Sequence, residues 1–174
     1  MMRFFWIIRF YLYTLFRKSA GWKGYIGRPL FIKGISRICF GRDFRIFPGA
    51  RLEVLGKGKL IIGDYCKFGH NLFATCTDEN ITIGSYCVFS ANIYIGTQKN
   101  DFTKNKDQLD ANWFKKNVSE LPIILGEGCF IGHGAVILPG CILGNGCIVG
   151  ANAVVRGNYK AGSIIGASPS SRIN

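Results

Sequence analysis

His70 and His133 are the only two imidazoles in the chain, and an imidazole is the side chain best matched to proton transfer near neutral pH. His133 follows Ile131 by two residues, and His70 follows Phe68 by two. That shared offset gives both the same outward-facing register. Asp101 is a further candidate base, because burial raises a carboxyl toward neutrality. A zinc centre of three histidines is excluded by the count. The seven cysteines invite a metal or disulfide reading, but five of them (Cys66, Cys87, Cys129, Cys141 and Cys147) share one slot of a repeat. A buried free cysteine there serves as a small apolar residue. No metal is expected, and no role follows for Cys39 or Cys76.

The element that must position these groups is the repeat itself, which is sought first because missing it miscalls the whole fold. Leu125, Ile131, Ile137, Leu143, Val149 and Val155 recur every six residues. Glycine follows four of them, as Gly126, Gly132, Gly144 and Gly150. A small residue stands four places after an aliphatic: Cys129, Ala135, Cys141, Cys147, Ala153. Ile83, Phe89 and Ile95, then Ile62 and Phe68, then Phe40, Ile46 and Leu52 repeat the pattern less perfectly. A period of six fits neither a helix of 3.6 residues per turn nor plain strand alternation. It describes a solenoid of three short faces and about 18 residues per coil, each coil pairing with its neighbours about 4.8 Å away. Stacking then separates His70 from His133 by two coils, about 10 Å. The 23 glycines against five prolines suit tight turns at short intervals.

Coil starts at 40, 62, 83, 125 and 143 give about five coils. The step from 83 to 125 is too long for one coil. The surplus is a polar excursion at about 97–121 that carries Trp113 and Phe114. A long departure from a tight solenoid is where function concentrates. The fold class expected is therefore all-β, a parallel β-helix over 38–174 with a projecting loop.

Residues 1–37 form a separate segment. It holds eight basic residues (Arg3, Arg9, Arg17, Lys18, Lys23, Arg28, Lys33, Arg37) and no acidic one, the first being Asp43, in a chain of net charge +12. Aromatic and aliphatic residues from Phe4 to Phe16 are interleaved with them. The stretch is too short, and too interrupted by Arg9, to span a bilayer core of about 30 Å. It also lacks the cleavage site of a secretory signal. Two readings stand: a basic aromatic helix in peripheral contact with an anionic membrane, or a helix packed on the domain or on a neighbouring subunit. Nothing resembles a module that reads bases, so nucleic acid is not an expected partner. The location expected is the cytoplasm, with the inner face of the membrane as the alternative.

The stretch Ile123 to Val155, IILGEGCFIGHGAVILPGCILGNGCIVGANAVV, resembles the C-terminal coils of bacterial hexapeptide-repeat acyltransferases. Within them it is similar to the WbbJ-like O-antigen and capsule sugar O-acetyltransferases. The segment Ser163 to Ile173 resembles their closing stretch. The resemblance implies a left-handed β-helix, contrary to the usual right-handed crossover. It also implies a homotrimer with active sites between subunits, and acetyl-CoA as donor to a sugar or polysaccharide acceptor. By the same resemblance the pantetheine arm lies near Gly132, Gly150 and Ala151, and Lys160 and Arg172 meet the CoA phosphates.

That family carries a histidine base at the start of the projecting loop, and Asn100 falls on its place in IYIGTQKNDF (Ile93 to Phe102). An amide is no base near pH 7. His133, beside the expected donor groove, is the substitute base or oxyanion donor; His70 and Asp101 are the other candidates. The reading thus implied is O-acetylation of a sugar of a bacterial surface polysaccharide or its lipid-linked precursor. The alternative is a catalytically degenerate scaffold in polysaccharide assembly.

Overall fold

The computed structural model describes residues 24–100, 118–167 and 172–173, together with Ile8. Most of the N-terminal basic segment, Asp101 and the excursion from 101 to 117 lie outside the described residues. Among the described residues no helix is long and apolar enough to cross a membrane.

Each six-residue repeat becomes one strand of two to four residues and one corner, and three repeats close a coil. Face A stacks Tyr25–Ile26, Arg45–Ile46, Lys67–Phe68, Val88–Phe89, Phe130–Ile131, Ile148–Val149 and Ile164–Ile165 in parallel. Face B runs from Phe31–Lys33 to Val154–Val155, and face C from Ile38–Phe40 to Asn158–Tyr159. Phe40, Ile62, Ile83, Leu125 and Leu143 pair in one register on face C. The coil starts read from the sequence are thus the observed ones. From Phe40 to Tyr159 the chain makes five turns of the left-handed parallel β-helix expected from the repeat and the resemblance. The last strand, Arg172–Ile173, turns back antiparallel over Ile164–Ile165 and so covers the open end of face A.

The solenoid starts earlier than the sequence boundary at 37/38. Tyr25–Ile26 pairs with Arg45–Ile46 on face A, and Phe31–Lys33 pairs with Arg51–Glu53 on face B. The signal for it is Ile26, Ile32 and Ile38, spaced six apart among basic residues. Arg28 and Lys33 there are exposed, Arg37 reaches Val54 O with its guanidinium, and the three charges mask the repeat.

Coil-to-coil hydrogen bonds set the spacing. The N–H groups of Gly41, Gly63, Gly84, Gly126 and Gly144 donate to Ile62, Ile83, Leu125, Leu143 and Tyr159. A Cβ on Gly84 would stand 2.7 Å from Glu127 N, and one on Gly63 2.6 Å from Ser85 N. The glycine after the aliphatic is therefore demanded by the close approach of the next coil.

The core is a column of aliphatic and aromatic side chains, with Phe68 stacked on Phe89 at 4.6 Å between ring centroids. The five slot cysteines are all buried. The thiols of Cys66, Cys87, Cys129 and Cys147 donate to carbonyls of the following coil at 3.1–3.3 Å. Cys76 is also buried, as the fourth residue of the lengthened strand Phe73–Cys76. Burial pushes the Cys141 thiol up to about 12. Burial, reinforced by the Glu120 carboxylate, takes Cys76 to about 11.

Two expectations follow. Phe68→Ala costs about 4 kcal/mol, read as a lower urea midpoint at unchanged slope, whereas Val154→Ala on an outer face costs under about 1 kcal/mol. A thiol whose folded pKa is raised stabilises the fold below its unfolded pKa and stops doing so as pH climbs through the folded value. The contribution of these two thiols is therefore flat up to about pH 8. It falls as pH rises through the range from the ordinary value of 9.0 to about 11 and about 12, which denaturation midpoints measured along that range will record.

Candidate functional site

Between faces A and B the chain turns at a corner whose second residue adopts a left-handed backbone conformation. Asn71, Asn92 and Asn152 take it with φ of 58°, 60° and 58°, and Gly134 with 68°. Asparagine and glycine are the residues that tolerate this region. The residue just before it is His70, Ala91, His133 or Ala151. Asn92 N donates to His70 O, Gly134 N to Ala91 O and Asn152 N to His133 O. Both histidines thus stand in one corner column, two coils apart, as their spacing predicts.

The asparagines supply what the sequence reading missed. Asn71 Nδ2 donates to Asn92 Oδ1 at 2.9 Å. Asn92 Nδ2 lies 3.3 Å from His133 Nε2. With its oxygen engaged by Asn71, Asn92 turns its NH2 toward the imidazole, so Nε2 accepts and Nδ1 carries the ring proton. His133 is exposed, with its accepting nitrogen held at a fixed place on the corner. The recurring Asn three residues after Phe68, Phe89 and Val149 was the available signal, since asparagine marks αL turns.

His70 is exposed as well, and its ring leans on Phe47, 5.3 Å between ring centroids. It opens onto a shallow groove of about 470 Å³ formed with Arg28, Pro29, Leu30, Pro48, Gly49 and Asn71. The groove belongs partly to the coil that the sequence boundary assigns to the N-terminal segment.

The expected donor residues divide between corners. Gly132, Gly150 and Ala151 lie on the histidine corner. The N–H of Gly132 donates to Val149 O and that of Gly150 to Ile165 O, at 2.8 and 2.7 Å, so both are engaged by the fold. Ala151 is exposed and follows His133 in the column. Lys160 is exposed at the corner between faces C and A, its carbonyl accepting from Cys147 Sγ and Ser163 Oγ. Arg172 pairs with Ile165 in the terminal strand of face A. Asn100 lies in a hairpin that leaves the third corner, where Gln98–Asn100 runs antiparallel to Val118–Glu120. The structure therefore brings His70, His133, Gly132, Gly150 and Ala151 to one edge. Lys160, Arg172 and Asn100 are placed elsewhere, and Asp101 is outside the described residues.

The hairpin stem is tied to the corner between faces B and C. Gln98 Nε2 donates to Thr77 Oγ1 at 2.7 Å. Glu120 accepts the N–H groups of Asp78 and Glu79 at 2.7 and 3.1 Å. Thr97 at its root is fully buried, and its hydroxyl finds no partner among the described residues. Among the described residues no group of three or more His, Cys, Asp or Glu side chains could hold a metal.

Comparison with known proteins adds the lineage. The bacterial transferase hexapeptide family (six repeats) matches residues 122–157, and the hexapeptide repeat of succinyl-transferase matches 59–97. No curated protein sequence matches. Among solved structures, a point mutant of AntD, an N-acyltransferase from Bacillus cereus in complex with dTDP and coenzyme A, is similar. It is 21% identical over 94% of this chain and 86% of that one, with a TM-score of 0.81. The acetyltransferase domain of PglB from Neisseria gonorrhoeae is 15% identical over 90% of this chain and 55% of its own, TM-score 0.53. The polySia-specific acetyltransferase NeuO is 17% identical over 78% and 55%, TM-score 0.59. Hexapeptide repeats of the kind these transferase families are named for thus stand in both halves of the solenoid, and the chain shares the fold of these acyltransferase structures.

Proposed function

We propose that the chain transfers an acetyl group from acetyl-CoA to a hydroxyl of a sugar in a bacterial surface polysaccharide or its lipid-linked precursor. The observation that carries this reading is the histidine corner, where an asparagine chain orients an exposed imidazole. The similar structures support the two substrates by class. AntD is held with coenzyme A and, in other complexes, with 3-hydroxybutyryl-CoA or dTDP-4-amino-4,6-dideoxyglucose. NeuO is an acetyltransferase specific for polySia.

The chemistry runs in two steps. The acceptor hydroxyl displaces the Asn92 amide from His133 Nε2, which then takes the hydroxyl proton as the oxygen attacks the thioester carbonyl, forming a tetrahedral oxyanion. Collapse breaks the carbon–sulfur bond, and the imidazolium returns its proton to the departing CoA sulfur. The displaced Asn92 amide donates to the oxyanion. His70, two coils away, lines the acceptor side rather than the reacting centre.

A homotrimer completes the site. The histidines, Lys160 and the Asn100 hairpin occupy three different corners of one chain, and neighbouring copies bring such corners together. Gly132 and Gly150 then shape the wall of the donor groove, Ala151 offers its exposed surface to the pantetheine, and Lys160 and Arg172 meet the CoA phosphates. The basic aromatic residues that precede the first coil, 1–23, would bring the enzyme to the inner face of the membrane, where a lipid-linked acceptor lies; the enzyme itself works in the cytoplasm.

The second reading, a degenerate scaffold in polysaccharide assembly, is favoured by Asn100, which cannot replace a base. One assay separates the two. Thioester consumption with acetyl-CoA and a panel of bacterial oligosaccharides should proceed with the native chain. His133→Ala should lower kcat about 100-fold or more, while His70→Ala stays within about 3-fold and Asn100→His changes little. Turnover by none of the panel, restored by Asn100→His, establishes the scaffold reading.

A further inference from the structure

The corner that holds His133 begins four coils before it. The place of His133 is taken in successive coils by Arg28, Pro48, His70, Ala91, His133 and Ala151. The carbonyls of the first five accept in turn from the N–H groups of Gly49, Asn71, Asn92, Gly134 and Asn152 in the following coil. Groups able to carry positive charge therefore stand at every second coil, about 10 Å apart, with a proline or an alanine between them. The proposed reaction uses the His133 end of this column. The end that carries Arg28 and His70 has a hollow of its own.

That groove exists because the second coil is low between two taller ones. Pro48 and Gly49 stand where the coils on either side carry Arg28 with Pro29 and His70 with Asn71. Gly49 has a φ of 88°, and a Cβ on it would collide with Asn71 Oδ1, so no side chain can fill the dip. The His70 ring is propped on Phe47, and Leu30, 74% exposed, forms an apolar wall. Among the described residues no carboxylate lines the groove. Nor does Arg28 make an ion pair among them, whereas Arg42 and Arg51 are engaged by Asp64 and Glu53.

Its surroundings give the groove a sign. The two faces that meet at this corner carry Arg28, Lys33, Arg45, Arg51 and Lys67 against Glu53 alone in the first three coils, residues 25–33, 45–54 and 67–76. In the next three coils, residues 88–96, 130–137 and 148–155, they carry no Asp, Glu, Lys or Arg. The field along the corner is thus positive at the groove and weak at His133. A second hollow, at the corner between faces C and A, is lined by Arg45 and Lys67 but also by Asp43. It stands across face A from His133, beside Tyr65 and Tyr86, which have φ of 59° and 62° and stack their rings 5.1 Å apart. The groove, by contrast, shares its corner with the imidazole. Asn71 lines it and donates to Asn92, whose amide contacts His133 Nε2. One hydrogen-bonded chain therefore runs from the groove to the reacting group.

We propose that this groove is the anion subsite of the acceptor: Arg28, with His70 across from it, holds a phosphate or carboxylate of the molecule whose hydroxyl reacts at His133. A guanidinium offers paired N–H donors that match either group, and the imidazole of His70 adds one more. Pro29, Leu30 and Pro48 cover the apolar side of whatever joins the anion to the sugar. His70 and His133 stand about 10 Å apart, which sets the distance between the anion and the reacting hydroxyl. A neutral monosaccharide can occupy only one of the two places. Two sources present this chemistry: the diphosphate that joins a sugar to a lipid or a nucleoside, or the carboxylate of an acidic unit in a saccharide chain. The acceptor role rests on the acyl-transfer reading; binding of an anion in the groove does not.

The test is calorimetry on the full chain with UDP-glucose, trigalacturonate, maltotriose and coenzyme A as probes. UDP-glucose or trigalacturonate should bind, and the tighter of the two identifies the source; maltotriose should bind at least about 10-fold more weakly. Arg28→Gln should weaken the anionic probe about 10-fold or more, and Arg28→Lys should recover part of the loss. Lys57→Gln, which removes an exposed charge of the same sign at the corner between faces B and C, should change nothing. Leu30→Glu should weaken the anionic probe about 5-fold, while Leu30→Gln, of the same size without the charge, should not. In acetyl transfer, Arg28→Gln should raise the acceptor KM by the factor it costs in binding, with kcat within about 3-fold. Binding of neither anionic probe, unchanged affinity in Arg28→Gln, an equal loss in Lys57→Gln, or displacement of the anionic probe by coenzyme A each overturns the proposal. If binding behaves as stated but the native chain transfers no acetyl group, the groove stands as an anion site and the acyl-transfer reading falls.

Discussion

Everything in this molecule depends on one constraint: the N–H and C=O groups of each coil are satisfied by the coils above and below it. Along the faces the N–H groups donate toward the following coil, as from Gly84 to Leu125 O. At the corners they donate back, as from Tyr86 to Asp64 O. A backbone paired in this way cannot slip by one residue without turning every inward side chain outward. The six-residue period is therefore a requirement of the ladder, and each place in the repeat becomes a column of spatial neighbours.

Columns explain where chemistry can reside. Inward columns are filled by aliphatics, aromatics and thiols whose Sγ atoms reach carbonyls of the next coil, and they have no access to solvent. Outer face residues alternate with them but belong to strands of only two to four residues. The corners project side chains whose spacing is fixed by the coil rise and whose direction is set by a left-handed residue. The histidine corner uses this to run an asparagine amide from coil to coil into an imidazole. The tyrosine corner uses it to stack two rings with nearly parallel planes. Both corners flank face A, and each exploits the left-handed residue of its turn: asparagine where a hydrogen-bonding side chain is needed, tyrosine where a flat surface is.

The columns also determine how much could be read in advance. Phe40, Ile62, Ile83, Leu125 and Leu143 were legible as coil starts because the ladder imposes their spacing on the sequence. The common corner of His70 and His133 followed from the same count. The coil of Ile26, Ile32 and Ile38 escaped notice because Arg28, Lys33 and Arg37 are interleaved with it, and charge at that density resembles a separate basic arm. The Asn71–Asn92–His133 chain went unread: the recurring asparagines mark the turns, but the hydrogen bonds join side chains 21 and 41 residues apart and leave no local pattern of their own. The tyrosine pair was hidden for a related reason: Tyr65 and Tyr86 precede cysteines of the repeat and pass as variable positions until their backbone conformation is known. Asn100, fixed by likeness to a family position, lies on a hairpin anchored at a different corner from the histidines.

The same ladder bears on how an oxyanion can be stabilised here. Many acyl-transfer sites use backbone N–H groups for that purpose, and Gly132 and Gly150 are where a small residue would let a thioester approach. Their N–H groups already donate to Val149 O and Ile165 O, and withdrawing either would open the solenoid between two coils. A buried, unmatched carbonyl costs about 1–3 kcal/mol, which a catalytic cycle would have to supply at each turnover. A side-chain amide carries no such obligation. Asn92 Nδ2 contacts an imidazole nitrogen at 3.3 Å, a long hydrogen bond. That bond opens before the nitrogen takes the substrate proton, because the nitrogen has a single lone pair, and the released amide then stands beside the oxygen that gains charge. In a fold whose backbone is fully committed, donor capacity that can change partners has to come from the corners.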